Sequence, residues 1–99
     1  MSDFQLTERS ATGDCRANGE LGFATALQAH AKLQRLITAG GSVRIDCSGL
    51  ERIDSAGLAV LLDAVALARD RGTDLRYVNL PAGVLRLARL GGVDSLLPV

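Results

Sequence analysis

Ser55 is the residue best placed for chemistry. It stands in Ile53-Asp54-Ser55-Ala56-Gly57-Leu58, where an apolar strand gives way to a long apolar helix, so its hydroxyl is expected among the first free backbone N–H groups of that helix. As an acyl-transfer nucleophile it would need a base. The chain's one histidine, His30, falls in the middle of another expected helix, and no G-x-S-x-G elbow surrounds the serine. Phosphoryl transfer by the chain itself fails equally, for want of a G-x-x-x-x-G-K-[ST] loop. Accepting a phosphoryl group is different. Free N–H groups and the positive end of the helix dipole stabilise an anion at that position. A phosphate there would add roughly two negative charges and disfavour any partner that buries the adjoining surface. The plain alternative is a capping serine, and either Asp54 or Ser55 can serve as that N-cap.

The other reactive side chains carry less. His30 lies within an apolar stripe and reads as a half-buried helix histidine, with no second ligand or nucleophile at helical spacing from it. Cys15 and Cys47 each lie in a strand-like run, without paired metal-ligand spacing, and read as small buried hydrophobes rather than a disulfide. No metal or cofactor is expected.

Composition narrows the partners. Eleven acidic and eleven basic residues are interleaved to a net charge of zero, without the basic run of a nucleic-acid binder. Phe4, Phe23 and Tyr77 are the only aromatic residues, too few to stack bases. With 47% apolar and 22% charged residues the chain is globular, and 99 residues suit a single domain spanning 1–99. The N-terminus lacks the basic and then apolar regions of a signal peptide, and no apolar run approaches ~18 residues, so a soluble cytoplasmic protein is expected.

Several elements must position Ser55. Phe4 to Arg9 alternates weakly as a strand, Thr12-Gly13-Asp14 is turn chemistry, and Cys15 to Glu20 alternates as a second strand paired back on the first. Phe23, Ala26, Leu27, His30, Leu33 and Ile37 then fall on one face of a helix running to Ala39 and stopped by Gly40-Gly41. Val43, Ile45 and Cys47 alternate in a central strand, and Ser48 to Arg52 makes its exit. A helix from the Ser55 turn to about Arg71, with Gly72 as its stop, leads to a strand over Leu75–Asn79. That crossover length implies parallel strands, with Asp46 and Ser55 both at their C-terminal edge. Pro81 opens a last helix ending at Gly91-Gly92, and Leu96 and Leu97 are expected to pack.

The helix after Ser55 is apolar on two sides. Leu58, Leu61, Leu62 and Val65 make the face for the sheet. Ala56, Val60, Ala64 and Leu67 make another, with Asp63 beside them. Such a row is either a surface that another protein covers or one covered by the first or last helix of the same chain.

In this order of elements, and above all in Ile45-Asp46-Cys47-Ser48-Gly49-Leu50-Glu51-Arg52-Ile53-Asp54-Ser55-Ala56-Gly57-Leu58, the chain resembles a STAS domain over essentially its whole length. The resemblance implies an α/β fold, a small mixed four-stranded β-sheet with helices packed on it, and a non-catalytic binding protein. It points to two branches. In anti-sigma factor antagonists the serine at the Ser55 position is phosphorylated by an anti-sigma factor kinase, which breaks the complex. In the STAS subunit of Mla-type ABC transporters, which move phospholipid, the domain docks on the cytoplasmic ATPase subunit and touches the membrane only through that complex. The continuously apolar Gly57 to Leu62, the Val84 to Leu90 helix and the closing Leu97-Pro98 are more similar to the second branch.

The resulting expectation is a regulatory STAS subunit of an ABC lipid transporter, cytoplasmic and peripheral to the inner membrane when assembled, with an anti-sigma factor antagonist as the alternative. Carried over, Ser55 is the phosphoacceptor or partner contact, and Asp54, Ala56, Val60, Asp63, Ala64 and Leu67 form the docking surface. A weak homodimer through the same surface is the remaining option.

Overall fold

The computed structural model describes residues 3–8, 14–37 and 40–99. Four strands and three helices follow in the order β1 (Gln5–Glu8), β2 (Asp14–Leu21), α1 (Ala26–Leu36), β3 (Ser42–Ile53), α2 (Ser55–Arg71), β4 (Asp74–Val78) and α3 (Ala82–Leu90), with a short 3-10 turn at Asp94–Leu96. The sheet order is β1-β2-β3-β4. β1 and β2 are antiparallel, and β2, β3 and β4 run parallel. This is the mixed four-stranded sheet expected from the sequence. The expected turn at Thr12-Gly13 and the end of the first strand at Arg9 lie outside the described residues.

One face of the sheet supplies the core. Cys15, Ala17, Leu21, Val43, Ile45, Cys47, Leu75 and Tyr77 are buried there, alternating with exposed Arg16, Arg44, Asp74 and Arg76 on the other face. Both cysteines are buried, and burial pushes the Cys47 thiol up to about 12. The helices cover the core face, with α2 packed between α1 and α3.

β3 is longer than its alternation suggested. It pairs with β4 only from Ser42 to Asp46, but with β2 as far as Ile53. The register moves from Arg16↔Asp46 to Asn18↔Gly49 and from Gly19↔Leu50 to Glu20↔Arg52, so β3 carries an extra residue at each of two places. These bulges break the period of two and make the Ser48–Arg52 stretch look like a loop in sequence. Gly49 fits because a Cβ would stand 2.1 Å from Asn18 Oδ1. The bulged extension also separates two residues expected at one edge: Asp46 lies level with the end of β4, and Ser55 lies roughly 20 Å further along β3.

α1 is shorter than expected, and its packed face is different. Ala29, Leu33 and Ile37 are buried, whereas Phe23 is 87% and Leu27 is 89% exposed. Leu27 is two residues from Ala29, so at ~100° per residue it points almost directly away from the buried face. Phe23 precedes the helix in a turn closed by Thr25 N–H to Gly22 O at 3.0 Å, and helical phase does not apply to it. The helix ends at Leu36, before Gly40-Gly41. Its last carbonyls, of Gln34 and Ile37, accept from the Arg71 guanidinium, so a side chain of α2 supplies part of the cap that the glycines were expected to provide.

At the far edge, Tyr77 N–H donates to Pro98 O at 2.9 Å. Leu97 is buried, while Leu96 is half exposed, contrary to the expectation that both pack.

Candidate functional site

The sequence left the N-cap of α2 open between two residues, and the structure assigns it to Asp54. Asp54 is extended (φ −124°, ψ −173°), and its Oδ1 accepts from Gly57 N–H at 3.0 Å. Its Oδ2 accepts from Phe23 N–H at 3.1 Å. These backbone hydrogen bonds, that of Gly57 first, hold the carboxyl below the usual carboxylate range. Ser55 is the first helical residue, and its side chain is exposed. The serine therefore sits at the positive end of a 17-residue helix dipole, beside a carboxylate that already takes one of the helix's free N–H groups.

Gly57 brings this end of α2 onto the sheet. A Cβ on it would stand 2.1 Å from Leu21 O and 2.9 Å from Ile53 Cγ1. Only a residue without a side chain lets the first turn of the helix rest against the last residues of β2 and β3. Gly72 closes the other end in the left-handed conformation (φ 67°).

The expected docking row divides. Asp54, Ser55 and Asp63 are exposed, and Ala56 and Leu67 are half-buried. Val60 and Ala64, at 5% and 3% exposure, belong to the core and cannot form a surface. The reason is the position of α2 between two other helices. α1 lies parallel to it, joined at the start by Asp54 and Phe23 and at the end by Arg71 with Gln34 and Ile37, and it covers the side carrying Val60 and Ala64. Of the two explanations for a second apolar side, coverage by the chain's own helix is the correct one. The outward stripe is instead Ser55, Ala59, Asp63, Ala66 and Asp70, spaced at helical intervals.

Phe23 and Leu27, which sequence reasoning put in the core, are exposed close to this stripe. Their types give no warning: Phe23 falls near Ile37 on the wheel if the helix is drawn to begin there, and Leu27, four residues on, is then drawn to the same side. Between Phe23, the end of β2 and Arg52 lies a groove of about 250 Å³, with Asp54 on its rim. Arg52 is 3.9 Å from Glu20.

His30 is half-buried on α1. Among the described residues no group of three His, Cys, Asp or Glu side chains could hold a metal ion, and no helix is long and apolar enough to cross a membrane.

Residues 4–98 match the family model described as "Mlab, STAS domain". The chain belongs to the STAS domain family. Rv2638 of Mycobacterium tuberculosis, which carries the name of an anti-anti-sigma factor, is 36% identical over 63 residues, 64% of this chain and 43% of that protein. The chain thus matches less than half the length of this relative. Among solved structures, the anti-sigma factor antagonist SpoIIAA in its unphosphorylated form superposes with a TM-score of 0.65 at 19% identity, over 89% of this chain and 83% of that one. The phosphorylated form of SpoIIAA, the Bacillus cell fate determinant, gives 0.67 at 18% identity, over 95% and 87%. The murine anion transporter Slc26a9 gives 0.68 at 18% identity, over 96% of this chain and 19% of the transporter. At these identities the likenesses show the STAS fold alone. Rv2638 and SpoIIAA carry names of anti-sigma regulation, and the region matched in the transporter is a small part of a larger chain.

Proposed function

We propose that this STAS protein is a non-catalytic anti-sigma factor antagonist, which binds an anti-sigma factor kinase and is switched by phosphorylation of Ser55. The supporting observation is Ser55 itself: an exposed hydroxyl on the first residue of α2, in a chain 36% identical over 63 residues to a protein named as an anti-anti-sigma factor. A kinase can reach the hydroxyl without unfolding anything. The product phosphate would lie at the end of a helix dipole, on the surface a partner must cover. SpoIIAA, with the same fold, exists in unphosphorylated and phosphorylated forms.

A second reading is favoured by the description of the matching family model: docking on the ATPase subunit of an Mla-type ABC transporter in phospholipid trafficking. The same edge would serve, with Ser55 as a contact and no phosphate involved. Both readings use Asp54, Ser55, Ala56, Asp63 and the exposed part of Leu67, and place the protein in the cytoplasm.

Co-purification from the protein's own cells, with mass spectrometry of the Ser55 peptide, separates them. A small kinase lost on Ser55→Asp but retained on Ser55→Ala, together with a phosphate on Ser55, is the expected result. A transporter ATPase with an unmodified serine would replace the first reading by the second, and equal capture of the kinase by both variants would overturn the switch.

A further inference from the structure

We infer that Phe23 and Leu27 are the apolar anchors of the surface to which Ser55 belongs, and that the protein docked there sets an apolar side chain beside an arginine or lysine. This rests on reading Ser55 as a partner contact. Scattered exposed apolar residues need no explanation, but these two lie four residues apart in the turn that opens α1 and on its first turn, 87% and 89% exposed. The backbone of Phe23 is bonded to the side chain of Asp54, the neighbour of Ser55. Phe23 is thus held against the start of α2, with Leu27 exposed four residues on, and the groove beside Phe23 gives a partner's aliphatic side chain a place to enter.

Charge identifies the other half of the partner. Asp54 is exposed and ionised; its oxygens accept from the Gly57 and Phe23 N–H groups, and the Ala56 and Asp54 N–H groups nearby lower its pKa further. No cation among the described residues pairs with it, and Arg52, on the same groove, lies beside Glu20. A carboxylate oxygen has a second acceptor site, so Asp54 offers a rigid, preoriented anion next to a bare phenylalanine. A guanidinium or ammonium flanking an apolar residue answers both features, in the pattern of a contact with a buried aromatic anchor. A second copy of this chain fits less well. The cation nearest to this surface that a second copy would bring, Arg52, already lies beside Glu20.

The same geometry explains how a basic partner could reject the phosphorylated form. A phosphate on Ser55 would have to shed its hydration as the apolar surfaces close over it, and that desolvation outweighs its attraction to one cation.

The test uses the whole chain and the partner obtained by Ser55-dependent co-purification, then purified. Calorimetry should show Phe23→Ser with Leu27→Ser binding at least about thirtyfold more weakly. Asp54→Asn should flatten the loss of affinity with added salt. Because both replaced apolar side chains are exposed, the double variant should keep the wild-type circular dichroism. Wild-type affinity in the double variant, while Ser55→Asp still abolishes binding, would overturn the inference and leave the docking reading intact. Failure to find any Ser55-dependent partner would remove both. Sedimentation showing a dimer that Phe23→Ser with Leu27→Ser dissolves would assign the surface to a second copy instead and overturn the heterologous assignment.

Discussion

The carboxylate of Asp54 joins two helices at their starts: Oδ1 caps α2 through Gly57 N–H at 3.0 Å, and Oδ2 holds Phe23 N–H at 3.1 Å ahead of α1. One side chain thereby fixes the phase of α2, the position of Ser55 on its first turn, and the apolar pair at the head of α1. Removing it should be felt in both places. Asp54→Ala is expected to cost about 1 kcal/mol from the lost N-cap, read as a lower urea midpoint at unchanged slope. In addition, hydrogen exchange at Phe23 N–H should quicken. Asp54→Asn, which keeps one acceptor oxygen but turns an NH2 toward the other N–H, should retain the bond to Gly57 or that to Phe23 and recover only part of the loss.

The interior of the α1–α2 contact predicts a sharper contrast. Val60 is 5% exposed, so Val60→Glu puts a carboxylate into packed apolar surroundings without a partner. It should cost more than about 3 kcal/mol or prevent folding. Ala59→Glu, one residue earlier on the outward stripe, should change stability by less than about 0.5 kcal/mol. Thermal unfolding of the two variants is sufficient. A folded Val60→Glu protein with normal Tm would mean that α1 does not cover this side.

These two positions show what was and was not legible in the sequence. The order of elements, the parallel β3–β4 pair and the helix start at Asp54-Ser55 follow from local patterns that the structure retains. The surface does not follow. A helix packed between two neighbours and a sheet is apolar over more than half its circumference, and composition cannot say whether another helix or another protein covers a given side. The side of Val60 and Ala64 is open between the two in the sequence for that reason, and the family resemblance alone makes it a docking surface. Phe23 falls on the inward face only of a wheel that begins three residues before the helix. The extension of β3 was hidden by two bulges that erase its alternation. In each case the missing quantity is non-local.

Gly57 is predicted to be the least replaceable residue of the site. Its missing Cβ would lie 2.1 Å from Leu21 O, so Gly57→Ala must push the start of α2 off the end of β2, despite alanine's better helix propensity. The expected loss is about 2 kcal/mol or more, with weakened partner binding, because Ser55 and Asp54 move with the turn. A variant as stable as wild type would indicate that this end of α2 yields easily.

Tyr77 tests the link between sheet and helix. Its hydroxyl donates to Leu61 O at 2.7 Å in the core, and burial raises its pKa. Tyr77→Phe leaves the ring in place and removes only that bond, so a cost of about 1 kcal/mol is expected. Wild-type Tyr77 should show no phenolate absorbance at pH 10 until the protein unfolds.

Acid should act through Asp46, whose Oδ1 accepts from Ser48 N–H at 3.0 Å and Asn79 Nδ2 at 3.2 Å. The Ser48 bonds come first among the causes that lower its pKa to about 2. A carboxyl whose folded pKa lies below its unfolded value contributes stability above the unfolded pKa, about 3.9, and loses it as pH falls toward the folded one. The contribution is therefore complete at neutral pH and disappears between about pH 4 and 2. Asn79, held at φ 57° just after β4, loses its partner over the same interval, so the passage from β4 toward α3 should loosen first. Urea midpoints for wild type and Asp46→Asn, measured from pH 7 to 2, should differ at neutral pH and converge in acid. Parallel curves would show that Asp46 contributes nothing through its charge.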